Sequence, residues 1–364
     1  MSLINRLDVA IDRALADRIV GCVVLVHQGG KEIYARAAGF ADREQQSPMV
    51  RNAIFRLASV TKPIVATCTL RMMELGLLTL DDPVTKFLPW FTPRDPDGHV
   101  SPISIHQLLT HTSGIIYGVP PDVSPGLAGP IISLEENLRR LARVPLAFKP
   151  GTAWTYGMGI DVLGGILAAI NRSGLDAVLR KYVCEPSRMN DAGFHVTDLA
   201  RLAVPYADGS PPKKMGEPEF VRDENGELVQ FSPARILNAG APQSGGAGMA
   251  GTADDVMKML AGYVGTNPIL KPQTVEMALA NQIGEIDRGP NEAGKGFGYI
   301  GAVTRSRALA NSPCPDGTVD WGGAWGHNWI IDPVNQVAVI TCTNVAFDGC
   351  NGKFRDDIRD AIYR

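Results

Sequence analysis

Apolar side chains fall at helical spacing over residues 4–17 (Ile4, Leu7, Ile11, Leu15), and a short apolar run from Val20 to His27 then leads to Gly29-Gly30. A period near 3.6 reads as a helix with one buried face, and a brief apolar run closed by glycines reads as a strand and turn. The chain is therefore predicted to begin helix, strand, turn, strand, with the second strand over Glu32 to Phe40. The far end repeats the strand pattern. Gly296 to Val303, Val319 to Ile331 and Val337 to Thr343 are predicted strands, with the turn sequence Asp332-Pro333-Val334-Asn335 between the last two and a closing helix from Lys353 to Tyr363. Between the ends the period is helical, over Ile64 to Leu77, Ile105 to Leu109, Leu134 to Leu141, Ile160 to Asn171 and Leu175 to Tyr182. Two distant strand clusters with helices between them imply one sheet built from both termini and a helical region inserted into it.

The expected division is a discontinuous sheet domain, residues 1–62 and 240–364, and a mainly helical inserted domain, residues 63–239. Segments rich in Pro and Gly at 118–130 and 204–246 are too long for ordinary connections, and such loops are usually functional or mobile. No internal repeat or low-complexity tract interrupts the pattern.

Composition narrows the function classes. The 364 residues, 45% of them hydrophobic, supply a large core and exclude a small stapled module. Lysine plus arginine total 35 against 38 acids, a formal net charge of −3, without the basic excess that nucleic acid requires. No stretch approaches about 18 consecutive apolar residues, and charges at Arg6 and Asp8 break the start before a signal-peptide core forms. A cytoplasmic protein with neither membrane nor nucleic-acid partners is expected. Cys22, Cys68, Cys184, Cys314, Cys342 and Cys350 are scattered without a Cys-x-x-Cys pair, so reduced, mostly buried thiols are the expectation. His106 and His111 lack the spacing and glutamate of a helical zinc site, and no metal is expected.

Three segments have residues suited to chemistry. Ser59 and Lys62 lie three apart just before the helical run at Ile64, which places an amine one turn along from a hydroxyl. A serine alcohol needs a base, and a desolvated lysine with a lowered pKa is one way to supply it. Ser-x-x-Lys also recurs by chance and carries little weight alone. The second segment, Pro150 to Asp161, puts Tyr156 on a glycine-flanked turn, where a phenol serves as proton shuttle or as a loop anchor. The third, Asp320-Trp321-Gly322-Gly323-Ala324-Trp325-Gly326-His327, is placed inside a strand whose glycines allow close approach of another backbone and whose N–H groups suit an oxyanion hole; a bulge or tight packing site fits it equally. In a regular strand, Trp321, Trp325 and Trp329 share one face. His106 and His111 read as braces, His327 as cleft wall, and Met72, Met73, Met257 and Met259 as packing.

In this order and separation the three segments resemble the serine beta-lactamase and penicillin-binding-protein superfamily, in its class C beta-lactamase-like branch. Leu78 to Pro89, Ile103 to Ile115, Phe148 to Tyr156 and Gly245 to Asp255 also look like family segments, so the likeness spans nearly the whole chain. It implies an α+β fold with an antiparallel sheet flanked by helices. It also implies Ser59 as acylated nucleophile, Lys62 as its partner, Tyr156 as general base, and the N–H groups of Ser59 and Ala324 as oxyanion hole, without metal or organic cofactor. Two departures bear on substrate. Tyr156-Gly157-Met158 stands where class C beta-lactamases have Tyr-x-Asn, and Trp321-Gly322-Gly323 where they have Lys-Thr-Gly; the latter resembles family VIII carboxylesterases. Met158, Trp321, Gly322 and Gly323 are accordingly the expected substrate contacts, and uncharged apolar acyl groups the expected substrates. Ester or amide hydrolysis through an acyl-enzyme leads the functional reading. An acyltransferase, a beta-lactamase or D-amino acid peptidase, and a non-catalytic ligand-binding relative are the alternatives. The pattern leaves the oligomeric state open.

Overall fold

The computed structural model, which describes every residue except 224, 266–268 and 291, opens with helix α1 (Leu3–Asp17). The Ser2 side chain starts it by accepting the Asn5 N–H. Its buried face is Leu7, Ala10, Ile11 and Ala14, so two alanines complete the stripe and Ile4 is left exposed. Strands β1 (Gly21–Gln28) and β2 (Lys31–Asp42) form the predicted hairpin, and β3 (Ser47–Pro48) pairs with the end of β2. Strand β4 (Ile54–Arg56) leads through a tight 3-10 turn, Ala58–Val60, into α2 (Thr61–Glu74). The middle of the chain supplies α3 (Ile105–Leu109), α4 (Leu134–Leu141), α5 (Gly159–Asn171) and α6 (Leu175–Leu179).

The stretch 204–246 is not a plain loop. It holds two hairpins, β5 (Tyr206–Ala207) with β6 (Lys213–Lys214) and β7 (Glu219–Arg222) with β8 (Leu228–Phe231). Strands of two to four residues are too short to show a period. Strand β9 (Ala250–Thr252) then pairs with β4, ahead of α7 (Ala253–Ala261) and α8 (Pro272–Leu279).

Two predicted strands prove to be hairpins. Gly296 to Val303 divides into β10 (Lys295–Phe297) and β11 (Ala302–Thr304), and Val319 to Ile331 into β12 (Val319–Gly323) and β13 (His327–Asp332). Gly326, at φ +102°, makes the second reversal possible. Trp321 and Trp329 are therefore cross-strand partners, while Trp325 sits in the turn and packs on Phe231, ring centres 4.7 Å apart. Strand β14 (Val337–Thr343) and helix α9 (Lys353–Tyr363) close the chain.

Eight strands form one antiparallel sheet in the order β10-β11-β12-β13-β14-β1-β2-β3, so the two ends of the chain meet at the β14–β1 pair. Central position explains the unbroken apolar run of β1, which is buried on both faces. Val23 and Leu25 point into the main core with α2 and α7, while Cys22, Val24 and Val26 point to a second core with α1 and α9. Each such side chain contributes roughly 1.5–3 kcal/mol by burial. No single helix among the described residues is long and apolar enough to cross a membrane.

Candidate active site

Ser59 stands on the tight turn between β4 and α2, held from three directions. Leu57 N–H donates to the Met249 carbonyl at 2.8 Å, which extends the β4–β9 pairing up to the turn. His327, on β13, has Nε2 at 2.7 Å from the Arg56 carbonyl oxygen. The end of β12 also presses in closely: a methyl group on Gly323 would lie 2.4 Å from the Leu57 carbonyl oxygen, so only glycine fits. Ala58, immediately before the serine, has φ +45°, a strained conformation for a residue with a side chain and one that clusters at functional sites. The close approach brings Ala324, next after Gly323, alongside the turn. Among the described residues the Ala324 N–H donates no hydrogen bond.

Lys62 lies one turn into α2 and is 4% exposed. Its Nζ donates to Ser59 Oγ at 3.2 Å, Tyr117 Oη at 2.9 Å and the Gly246 carbonyl at 2.8 Å, which uses all three ammonium protons. Burial pulls its pKa down, but Tyr117, Tyr156 and the buried Asp161 outweigh it, and the net shift is upward. The expectation of a lysine with a lowered pKa is thus overturned: Lys62 is an ammonium that orients its neighbours, not a free amine. Asp161, on α5, accepts from Ser244, and burial pushes its pKa up against the pull of Lys62.

Tyr156 lies on the turn that enters α5, with its ring 4.6 Å from Lys62 Nζ. Its oxygen accepts the Trp321 Nε1–H at 3.1 Å, and the two ring centres are 4.9 Å apart. Ser59, Lys62, Tyr156, Trp321, Gly323 and Ala324 are thus brought together. Gly322 lies on the same strand, where a methyl would meet Cys350 Sγ at 2.7 Å. Met158 is the departure: its side chain is fully buried in the main core, because α5 turns inward at that residue, so it does not line an open cleft.

Sequence motifs give no role to Tyr117, Gly246 or Asp161, although Gly246 and Asp161 fall within the segments Gly245 to Asp255 and Pro150 to Asp161. Tyr117 lies two residues beyond a recognised family segment, and Gly246 acts through its carbonyl, which has no residue signature. The cavities of about 560 and 460 Å³ lie elsewhere, the larger between α4, α5 and residues 239–243, the smaller around Asn190–Arg201. No group of three His, Cys, Asp or Glu among the described residues is placed to hold a metal.

His106 and His111 act as braces. His106 Nδ1 is 2.9 Å from Tyr299 Oη, and His111 Nδ1 accepts the Gly157 N–H at 3.4 Å beside the Tyr156 ring. Burial holds His111 well below its ordinary pKa, helped by the charges of Lys62 and Arg288. Burial also takes His327 down to about 4. The unfolded chain binds that proton near pH 6.5 and the folded chain only near 4, so between these values the unfolded state holds more protons and stability falls as pH falls. The loss from His327 alone is about 3 kcal/mol. Urea midpoints measured at pH 7, 5.5 and 4 are expected to drop accordingly, and His327→Gln to flatten the slope; an unchanged slope in that variant contradicts the assignment.

The Beta-lactamase family model matches residues 7–361. The chain belongs to that family. Among its relatives, Esterase EstB of Burkholderia gladioli is 42% identical over 383 positions, covering 100% of this chain and 95% of that protein. The solved structure of EstCE1, described as a hydrolase with promiscuous acyltransferase activity, superposes with a TM-score of 0.94 at 39% identity and covers 100% of this chain and 98% of the other. Simvastatin synthase of Aspergillus terreus, at 21% identity, shares the fold with a TM-score of 0.75 over 100% of this chain and 98% of its own. The beta-lactamase-family match and the eight-stranded antiparallel sheet agree with the α+β architecture and the superfamily expected from the sequence motifs.

Proposed function

We propose that this family member is a serine hydrolase that cleaves small-molecule esters through an acyl-enzyme on Ser59. The observation that carries the reading is the single ammonium, Lys62 Nζ, shared by Ser59 Oγ at 3.2 Å and Tyr117 Oη at 2.9 Å under the Tyr156 ring. Ser59 Oγ attacks the ester carbonyl while Tyr156, acting as its phenolate beside the Lys62 ammonium, takes the serine proton; the negative charge moves to the carbonyl oxygen, which is received by the N–H groups of Ser59 and Ala324. Tyr156 returns the proton to the departing alkoxide, and water then repeats the sequence on the acyl-serine. Lys62 remains protonated throughout, orienting Oγ and stabilising the Tyr156 phenolate before the attack and again once the proton has gone to the leaving alkoxide. Tyr117, whose pKa burial raises against the pull of Lys62, stays a phenol and fixes the ammonium.

Ester hydrolysis is favoured over beta-lactam hydrolysis by Trp321, whose indole occupies the strand position of the beta-lactamase lysine and is committed to Tyr156. Met158, being core, contributes only by the absence of an amide. Missing one polar or charged contact costs about 1–3 kcal/mol, roughly tenfold to a hundredfold in kcat/KM. A p-nitrophenyl butyrate assay run beside nitrocefin is expected to favour the ester by at least that factor, and a preference for nitrocefin overturns the choice. Acyl transfer is the second reading, supported by the full-length likeness to EstCE1. It is tested in the same assay by adding an alcohol and measuring how the acyl group partitions between alcohol and water.

A further inference from the structure

Arg288 lies between α8 and β10, behind the Tyr156 turn, and is nine-tenths buried. Its guanidinium carbon stands 4.4 Å from the Trp154 ring centre, 5.4 Å from that of Phe297 and 5.7 Å from that of Trp321. Nη1 donates to the Gly296 carbonyl at 3.1 Å and pairs with Glu292 at 3.2 Å, while Nε has no hydrogen-bond partner among the described residues. Burying a cation with an unpartnered N–H is unfavourable, and an apolar side chain of similar volume would fill the space without that cost.

The rings that Arg288 touches lead directly to the reacting groups. Phe297 meets Trp321 edge-on at 5.3 Å, and Trp321 in turn lies against Tyr156 and donates to its oxygen. Trp154 belongs to the turn that presents Tyr156, two residues away, whereas Phe297 and Trp321 belong to the sheet. The guanidinium is therefore wedged where the turn meets the sheet edge, against ring faces from both sides. Cation–ring attraction is strongest when desolvated in this way.

We propose that Arg288 is a positioning residue that clamps the Tyr156 turn onto the sheet through Trp154 and Trp321 and keeps the Trp321 N–H aimed at the Tyr156 oxygen. It acts through Trp321 and touches no substrate. The inference rests on the reading of Ser59 and Tyr156 given above.

The test is a cycle of Arg288→Met, Trp321→Phe and the double variant, with Arg288→Lys as the conservative change. Measured are kcat and KM for p-nitrophenyl butyrate, fluorophosphonate labelling of Ser59, and thermal melting. Arg288→Met is expected to lower kcat roughly tenfold or more with KM changed by less than about threefold, as fits a group that acts on the proton-handling step. In the Trp321→Phe background the same change is expected to add less than about twofold, since its intermediary is already gone. Arg288→Lys, which keeps a cation against the rings, is expected to recover most of kcat. A folded Arg288→Met with wild-type kcat, losses that multiply in the double variant, or a lysine variant as poor as the methionine one overturns the proposal. Should Arg288→Met not fold, Arg288→Gln replaces it in the cycle under the same criteria. Labelling separates the two readings: if the fluorophosphonate does not modify Ser59 in the wild type, the site assignment fails, whereas normal labelling with an additive cycle refutes the clamp alone.

Discussion

Replacing Ser59 by alanine is expected to lower kcat for p-nitrophenyl butyrate by on the order of 10⁴- to 10⁶-fold, the scale on which removal of a nucleophile acts. The melting curve should stay close to wild type. Ser59 is only half-buried, and its loss removes one of three acceptors from Lys62 while Tyr117 and the Gly246 carbonyl remain. Burial of the ammonium is thus still compensated, and the variant should fail chemically without failing to fold. Fluorophosphonate labelling should vanish in parallel. Near-wild-type turnover in a folded Ser59→Ala protein would remove the basis of the mechanism.

The second large effect concerns Lys62 and Tyr156, which in the proposed mechanism serve one proton transfer and so should not contribute independently. Lys62→Ala and Tyr156→Phe are each expected to cost about 10²–10⁴-fold in kcat, and the double variant scarcely more than the worse single one. The two differ in stability. Removing Lys62 leaves Tyr117 and the Gly246 carbonyl without their donor and takes the nearby positive charge from buried Asp161, so Lys62→Ala should also melt at lower temperature. Tyr156→Phe keeps the ring against Lys62 and Trp321 and gives up only the bond from the indole, so its melting temperature should change little. Small losses that multiply in the double variant would mean that the two residues do separate work.

The raised pKa of Lys62 is set by residues far from it in the chain. A lysine three residues after a serine on a helix suggests a base, and burial alone supports that idea. The opposite outcome comes from groups contributed by distant parts of the chain: Tyr117, Tyr156 and Asp161, 55, 94 and 99 positions from Lys62. Charge balance inside a protein depends on every neighbour, and local sequence names only the near ones.

What the sequence determined by itself is the local and periodic part. The apolar run of β1, the helical stripes of α1 and α9, the Ser59-to-Lys62 spacing and the motif order that marks the family all follow from residues close to one another in the chain. Tertiary structure decided the rest. It turned Val319 to Ile331 into a hairpin, because Gly323 had to pack against Leu57 and Gly326 could reverse the chain. Through that packing it set Ala324 beside Ser59 and separated Trp325 from Trp321. It placed Met158 in the core, since the first turn of α5 points there. It also joined Arg288 to Tyr156 by way of Trp321, a connection among side chains more than 30 positions apart along the chain that no spacing rule encodes. Side-chain period and turn chemistry act over a few residues, whereas close approach, burial and charge pairing depend on which distant segments the fold brings into contact.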